Sequence, residues 1–342
     1  MKQIKIVLLC CLLIMGFSGL SEAEDLQVTK VIEVGEASWV PYEIPLKFSP
    51  DGSKLAYFRG WSLVVSDTMG NNRQICEFEL KPYLYEWLSE DEIIVTIYKH
   101  KKASDTRQLL HIDLQTGEKE ILREYTRPLL GEKSNEPSFR GPLKTVEGNL
   151  YCRLENDTRR EAIFPKSKYK NHQKTILAEE NHFLTWGDDG VYKVTTDFSD
   201  SIRLGPKPYS HIPLPPTYNN GLSYVIYNGK LLRFSDSTVI DINSYLTYIP
   251  QNTKYCGATF PQFNPTGDEI VFNQNCYGED ENNNDYETDM VGIFNIESKK
   301  ITMLDTLINL QACQAPSYAP DGLKIALLSD RKVYIIYREP NK

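Results

Sequence analysis

Apolar and polar residues alternate along most of this chain in short runs, and turn-forming residues separate the runs. Alternation with a period of two is typical of β-strands with one face buried, and clusters of Gly, Pro, Asn and Asp between such runs indicate turns. No long stretch shows the 3.6-residue period of an amphipathic helix. The pattern therefore predicts an all-β protein.

The apolar runs group into hairpins that repeat along the chain. Several hairpins are followed by an Asp or Asn, a polar turn and one more short strand, as in 67–75, 113–122, 197–204 and 295–304. Four-stranded units repeated around a channel leave only short, protected edges in a β-propeller. Seven hairpins fit the pattern: 55–58 with 63–66, 93–98 with 109–114, 150–154 with 161–164, 182–186 with 191–195, 222–227 with 230–234, 270–273 with 291–296, and 325–328 with 333–337.

These hairpins favour seven blades. Six blades remain an alternative, because almost no room for a first strand is evident between Leu177 and His182 in the fourth unit. The last unit lacks a fourth strand, while residues 28–34 have no hairpin partner of their own. We therefore predict that residues 28–34 pair with 333–337 and close the ring, since each strand would otherwise leave an unpaired edge.

One turn motif occurs three times, at residues 48–55, 263–270 and 318–325. Each copy has an aromatic residue, then a proline two positions later and a glycine two positions after that. Proline presets the backbone for a tight turn, and glycine accepts the positive φ that closes it. We predict positive φ at Gly52, Gly267 and Gly322, in the turns that join first to second strands.

The motif, with Ser329-Asp330-Arg331 and the turn from Asp113 to Gly117, resembles the repeats of TolB-like β-propellers. The resemblance is clearest in the first, sixth and last units. It implies a six- or seven-bladed propeller, usually exported and often a binding or assembly component, in some members the regulatory propeller of a serine peptidase. It implies no shared catalytic residues, and the mature chain has no Gly-x-Ser-x-Gly elbow.

The amino terminus has the pattern of a signal peptide. Lys2 and Lys5 precede an apolar run, and the small residues of Ser21-Glu22-Ala23 form a cleavage site. We predict a signal peptide at 1–23, one propeller domain at 24–342, and an exported protein in the periplasm or outside the cell. An uncleaved anchor is the alternative. No later stretch is apolar enough to span a membrane, so cleavage would leave no integral membrane segment.

Two of the seven cysteines lie in the predicted signal, so five remain in the mature chain. Cys256, Cys276 and Cys313 fall at one face of adjacent predicted blades. Because a disulfide needs Cα atoms within about 7 Å, we predict one bridge in this trio, with Cys256 and Cys276 as the favoured pair. Cys76 and Cys152 are expected to be buried strand thiols.

Charge and composition exclude some functions. The net charge of −8 argues against nucleic-acid partners, which require clustered Lys and Arg. The five histidines show no metal-ligand spacing, so no metal site is predicted from them. In the acidic tract 279–289, Asp280, Asn282 and Asn284 repeat the alternating oxygen ligands of a calcium loop, but Asp285 replaces the usual glycine. A flexible solvated loop is therefore favoured there, with calcium binding as the alternative, and no cofactor is predicted.

The predicted topology brings one set of loops to a common face. Links between blades and loops between second and third strands both emerge there, and they carry aromatic and charged residues suited to recognition. We expect an exported interaction protein with an unknown protein or glycan partner and no catalytic residues. The alternative is a propeller enzyme, of the lyase or glycoside hydrolase type, with a site at the channel mouth. The predicted binding residues are Trp39, Tyr42, Trp61, Tyr83, Tyr209, His211, Asp280 and Asp285.

Overall fold

The structure is a computed structural model that describes most of the chain. Among the residues that it describes, regular secondary structure is almost entirely β-strand, with one short α-helix, α1 (Leu304–Ile308), and one 3₁₀ turn (Ile242–Tyr245). No helix among these residues is long and apolar enough to cross a membrane. The described residues are 26–37, 46–101, 104–128, 138–146, 149–155, 174–179, 182–186, 191–195, 200–205, 217–218, 224–227, 229–233, 235–236, 238–279, 282 and 284–339.

The described strands form antiparallel sheets that follow one another along the chain. Strand β1 (Val28–Glu36) comes first in sequence and joins the last sheet. Sheet 1 contains β2 (Lys47–Phe48), β3 (Lys54–Arg59), β4 (Ser62–Asp67) and β5 (Gln74–Glu77), and sheet 2 contains β6 (Lys81–Trp87), β7 (Glu92–Lys101), β8 (Ser104–Asp113) and β9 (Lys119–Pro128).

The middle of the chain supplies three more sheets. Sheet 3 has two described strands, and sheets 4 and 5 have four each. They contain β10 (Ser138–Val146) and β11 (Asn149–Glu155); β12 (Lys174–Glu179), β13 (His182–Trp186), β14 (Val191–Thr195) and β15 (Ser201–Gly205); and β16 (Thr217–Tyr218), β17 (Tyr224–Tyr227), β18 (Lys230–Arg233) and β19 (Val239–Asp241).

The last two sheets lie nearest the carboxyl terminus in sequence. Both are four-stranded, and sheet 7 has the order β1-β26-β25-β24. They contain β20 (Thr253–Phe263), β21 (Glu269–Glu279), β22 (Asp285–Asn295) and β23 (Ile301–Met303), and then β24 (Gln314–Tyr318), β25 (Lys324–Ser329) and β26 (Lys332–Arg338).

The predicted hairpins of sheets 1, 2, 4, 5, 6 and 7 are confirmed as neighbouring antiparallel strands. One prediction for the fourth unit was wrong. Its first strand, β12, begins at Lys174 and pairs directly with β13. Almost no room for it was expected between Leu177 and His182, but the strand begins three residues before Leu177. The predicted partner of 150–154, residues 161–164, lies outside the described residues.

The pairing of the amino-terminal strand with the carboxyl-terminal hairpin is present. Strand β1 runs antiparallel to β26, with Ile32 opposite Ile335 and Glu36 opposite Lys332. Val34 is buried in the same apolar cluster as Val333 and Ile335. Residues from the two ends of the chain therefore complete one sheet.

Central strands of sheets 1 and 6 are buried on both faces, because each of these sheets packs between two neighbours. In β21, Ile270 and Phe272 belong to the cluster shared with sheet 5, whereas Val271 belongs to the cluster shared with sheet 7. In β3, Ala56 and Phe58 likewise face sheet 2. The sequence of such a strand is mostly a continuous apolar run. Accordingly, four consecutive residues are buried in β3 and four in β4.

The three motif turns show the predicted backbone, with φ of +71° at Gly52, +79° at Gly267 and +70° at Gly322. They also pack against one another. A Cβ placed on Gly322 would lie 3.3 Å from Cδ of Pro265 in sheet 6, and one on Gly52 would lie 3.3 Å from Cδ of Pro320 in sheet 7. The proline of one turn therefore packs against the glycine of the next.

This packing fixes the relative orientation of three sheets. It places the first-to-second-strand turns of sheets 6, 7 and 1 side by side, and we call this side the motif end. Hairpins that join second to third strands emerge at the opposite end of an antiparallel sheet, which we call the hairpin end. The hairpin end is therefore shared by sheets 6, 7 and 1.

A buried ion pair links sheets 6 and 7. Arg338 Nη1 donates to Glu269 Oε2 at 2.6 Å, and the Tyr318 hydroxyl donates to the same oxygen at 3.3 Å. The two charged side chains are only 4% and 6% exposed. A charge buried in this way depends on its partner, so this pair constrains how β26 docks on β21.

Candidate recognition surface

Two of the predicted binding residues lie at the hairpin end. Trp61 follows Gly60, which has φ of +61°, in the turn between β3 and β4, and its side chain is 58% exposed. The carbonyl of Trp61 accepts a hydrogen bond from the Phe78 N–H at 3.0 Å, which holds the turn against the following link. Asp285 is exposed at the first position of β22. Sheet 7 lies between sheets 1 and 6, so these two side chains occupy different parts of the same end.

A third predicted binding residue, Tyr83, lies within a strand. It is near the start of β6, where the register with β7 shifts between Pro82 and Leu84. Its side chain is half-buried. The other predicted binding residues, Trp39, Tyr42, Tyr209, His211 and Asp280, lie outside the described residues, so their roles stay predictions.

Sheet 6 extends beyond the shorter strands of the neighbouring sheets 5 and 7 at the hairpin end. Strands β20, β21 and β22 have 11 residues each. We call residues 253–257, 275–279 and 285–289 the sheet 6 extension. Cys256 and Cys276 stand opposite each other in the register of β20 and β21 and form a disulfide bridge, as predicted. The bridge ties two strands of the extension together.

One face of the extension is covered by the link from sheet 5. The Gln274 side chain is fully buried, and its Nε2 donates to the carbonyl of Tyr248 at 2.5 Å. The Tyr286 hydroxyl donates to the carbonyl of Gln251 at 3.2 Å. The disulfide lies on this face, since even-numbered residues of β21 point toward sheet 5. Residues 248–252 thus occupy this side of the extension.

The opposite face carries a pair of stacked tyrosines. Tyr255 and Tyr277 are directly opposite in register, with ring centroids 5.3 Å apart and an interplanar angle of 23°. They are 45% and 48% exposed. Among tyrosines whose side chains the structure describes, the exposed ones are these two and Tyr248, which belongs to the covering link. Exposed tyrosines are therefore concentrated on and beside the extension.

The stacked pair was not predicted from the sequence. The acidic tract was expected to be a loop, whereas residues 275–279 and 285–289 are paired strands. A signal for the pair existed in the predicted disulfide. Once Cys256 and Cys276 are opposite in antiparallel strands, residues 255 and 277 must also be opposite and on the other face.

The tyrosine face is acidic. Glu287 stands opposite Tyr277 in register, and Asp289 stands opposite Asn275. Asn275 Nδ2 donates to Glu287 Oε1 at 2.9 Å and to Asp289 Oδ1 at 3.1 Å. Asn273 Nδ2 donates to the same Asp289 oxygen at 2.8 Å. These amide donors hold both carboxylates in place on the sheet.

One lysine lies among these carboxylates. Lys254 Nζ donates to Glu279, and this hydrogen bond raises the pKa of Lys254 above its usual range. The extension therefore has one cationic side chain, Lys254, and four carboxylates, those of Glu279, Asp285, Glu287 and Asp289. Its net charge is negative at neutral pH.

The structure gives no further support to a metal site. Within the described residues, no three His, Cys, Asp or Glu side chains form a group that could hold a metal ion. In the acidic tract 279–289, where calcium binding is the alternative to a solvated loop, Asp280 lies outside the described residues, so the structure does not test this alternative.

The remaining thiols differ from one another. Cys313 is buried before β24, and desolvation together with the nearby Asp305 carboxylate raises its pKa, so the thiol stays protonated and unreactive. Cys76, predicted to be buried, is half-buried in β5 because this strand is the outer edge of sheet 1. Cys152 lies in β11, and its side chain is outside the described set.

No family model matches this chain, and no curated protein sequence matches it. Solved structures that are similar to it include a chain of the mitotic checkpoint complex, with 10% identity over 92% of this chain and 94% of that chain and a TM-score of 0.45. TolB from Acinetobacter baumannii has 13% identity over 86% of this chain and 65% of that chain, with a TM-score of 0.39.

A third similar structure is an oligogalacturonate lyase in complex with manganese. It has 12% identity over 86% of this chain and 76% of that chain, with a TM-score of 0.33. At these TM-scores the similarities carry no argument about fold or function, and the strand order and sheet packing described above remain the basis for the architecture.

Proposed function

We propose that the protein is an exported β-propeller of seven four-stranded blades that acts as an interaction protein and recognises a partner through its hairpin end. The architecture is supported by the order of the sheets. Each described sheet is a meander of consecutive strands, and β1 supplies the fourth strand of sheet 7.

Packing between sheets also supports a ring. Strand β24 of sheet 7 contacts β20 of sheet 6 on one side and β2 of sheet 1 on the other. Trp87 Nε1 of sheet 2 donates to the carbonyl of Lys47 in sheet 1 at 3.1 Å. Strand β10 contacts both β6 and β12, and β16 contacts β20. First strands therefore lie beside first strands, as expected when they line a central channel.

Export is supported by two independent features. The first is the positively charged and then apolar amino-terminal pattern of residues 1–23. The second is the Cys256–Cys276 disulfide, because such bridges persist mainly in oxidising compartments.

The observation that carries the proposed recognition role is the stacked pair Tyr255–Tyr277, exposed on a disulfide-tied sheet. Tyrosines give a large contact area, and rings fixed on paired strands lose little conformational entropy on binding. Trp61 adds another exposed aromatic ring at the same end. At the motif end, in contrast, the turns of sheets 6, 7 and 1 pack on one another.

Site-specific photo-crosslinking tests this proposal. A photoreactive phenylalanine derivative would replace Trp61 or Tyr277 at the hairpin end, and Leu323, which is 37% exposed in a motif turn, would be the control. In the organism that makes the protein, we expect one discrete adduct from position 61 or 277 and none from 323. Equal adducts from both ends, or an adduct from 323 alone, would contradict recognition at the hairpin end.

A further inference from the structure

The tyrosine face of the sheet 6 extension is a sheet face without a covering segment among the described residues. The opposite face is covered by residues 248–252. At about 3.4 Å per residue, five residues of each strand span about 17 Å. The face is thus large enough for a short peptide segment, and the disulfide and the strand register preorganise it.

The arrangement of charge on this face selects among partners. The rings of Tyr255 and Tyr277 stack on each other, so one side of each ring is occupied by the other. On the other side of Tyr277, the residue opposite it in strand β22 is Glu287. A positively charged group placed there would contact an aromatic ring and a carboxylate at once. Asn275 already donates to Glu287 from the neighbouring position, which holds the carboxylate in place.

Other partner chemistries fit this face less well. An anionic partner would be repelled by Glu279, Asp285, Glu287 and Asp289, since like charges across an interface are costly. A wholly apolar partner would remove these carboxylates from water without pairing them. The described cation of the extension, Lys254, is already paired with Glu279.

We propose that the tyrosine face binds a cationic segment of a partner polypeptide, with an arginine or lysine of that segment packed on Tyr277 and paired with Glu287. The inference deepens the proposed recognition role and rests on it. Arginine suits the position best, because its planar guanidinium both stacks on aromatic rings and pairs with carboxylates. Asp285 and Asp289 would add longer-range attraction that accelerates association and is screened by salt.

Fluorescence anisotropy with defined peptides tests the inference. The probe is a labelled 12-residue peptide of alternating arginine and serine, and the matched peptide has glutamate in place of arginine. We expect the arginine peptide to bind the mature protein at about 50 mM salt and to bind at least about tenfold more weakly at about 500 mM. The glutamate peptide should not bind. Equal binding of both peptides, or no binding of either, would overturn the inference.

Variants locate the binding to this face. Exposed cation–π contacts contribute about 0.5–1 kcal/mol, so Tyr277→Ala should weaken binding about two- to fivefold, and Glu287→Gln should weaken it to a similar degree. Tyr248→Ala removes an equally exposed tyrosine from the covering link, and Glu118→Gln removes one exposed carboxylate from sheet 2. Both controls should leave affinity unchanged. If controls and test variants behave alike, or if a neutral oligosaccharide displaces the peptide, the face is not a cation site.

The two proposals fail separately. If position 61 or 277 gives a discrete adduct in the native host but the arginine peptide does not bind, the recognition role stands and the cationic partner is wrong. If the peptide binds through Tyr277 and Glu287 but the hairpin end gives no adduct in the host, the face has the inferred chemistry and the recognition role is wrong. A native melting temperature for each variant keeps a folding defect from being read as lost binding.

Discussion

Because successive motif turns are in contact, we predict that Gly322→Ala will lower the free energy of unfolding by more than the strain of its backbone conformation alone. Gly322 has φ of +70°, and a Cβ there would lie 3.3 Å from the Pro265 ring of the adjacent sheet. Gly117 has a similar φ of +75°, but nothing lies within 4 Å of the position that a Cβ would take there. The two glycines therefore separate backbone strain from crowding between sheets.

The magnitudes follow from these two terms. An L-residue in the left-handed region costs about 1–2 kcal/mol, which is the whole expected cost of Gly117→Ala. Crowding against the Pro265 ring adds about 1 kcal/mol, so Gly322→Ala should cost about 2–3 kcal/mol. Removing the ring should relieve the crowding, so Pro265→Ala combined with Gly322→Ala should cost about 1 kcal/mol less than the sum of the single variants.

Thermal unfolding followed by tryptophan fluorescence measures these differences. At about 2.1 cal/mol/K of unfolding entropy per residue, each kcal/mol lowers the melting temperature of a chain of this length by about 1–2 °C. Gly52→Ala, which meets Pro320 in the same way, should behave like Gly322→Ala. If Gly322→Ala and Gly117→Ala shift the melting temperature equally and the double variant is additive, the turns do not pack together and the shared motif end is wrong.

Three further predictions concern the two ends of the chain and its charges. Deletion of residues 24–36 should lower the melting temperature sharply, because β26 loses one of its two partner strands and the apolar cluster loses the buried Val34. An unchanged melt would refute the pairing. Arg338→Met should destabilise the fold by about 3–5 kcal/mol in denaturant titrations, because Glu269 would stay buried without its cation, and replacing both residues by Met should restore part of the loss. Hydrogen bonds from Lys54 and Gln115 lower the pKa of Asp91, so its stabilising effect is present above the unfolded-state pKa and is lost as pH falls through the folded-state pKa. Asp91→Asn should therefore flatten the acid limb of a plot of melting temperature against pH. A plot parallel to that of the wild type would contradict this.

Local chemistry explains why much of the fold was predictable from sequence. The turn at Pro50, Asp51 and Gly52 depends on residues within the turn, where Asp51 accepts hydrogen bonds from Ser49 Oγ and the Ser53 N–H. The pairing of β1 with β26 was also predictable, because β1 had no hairpin partner and one edge of β26 was unpaired. Strand β12 was not predicted, since the room for it was counted only from Leu177 to His182, whereas the strand begins at Lys174.

The stacked tyrosines of the candidate surface could not be predicted from the sequence, because their exposure depends on how far each sheet extends beside its neighbours. Tyr57 and Tyr255 are the same residue type in alternating strands, yet Tyr57 is buried between sheets 7 and 1 and Tyr255 is exposed. The difference arises because sheet 6 extends beyond its neighbours, which is a property of strand length in three dimensions. Trp61 was predictable because a tryptophan beside a turn glycine has little to pack against locally.

Hydroxyl-radical footprinting in the native extract tests recognition at the hairpin end most directly. Oxidation of Trp61, Tyr255 and Tyr277 would be compared between the purified protein and the protein in an extract of its own organism, with Met69, which is 47% exposed in the turn between β4 and β5, as an internal reference from the opposite end. The account predicts that the extract protects the aromatic side chains of the hairpin end and leaves Met69 as reactive as before. Protection of Met69 with the aromatic residues unchanged would contradict it.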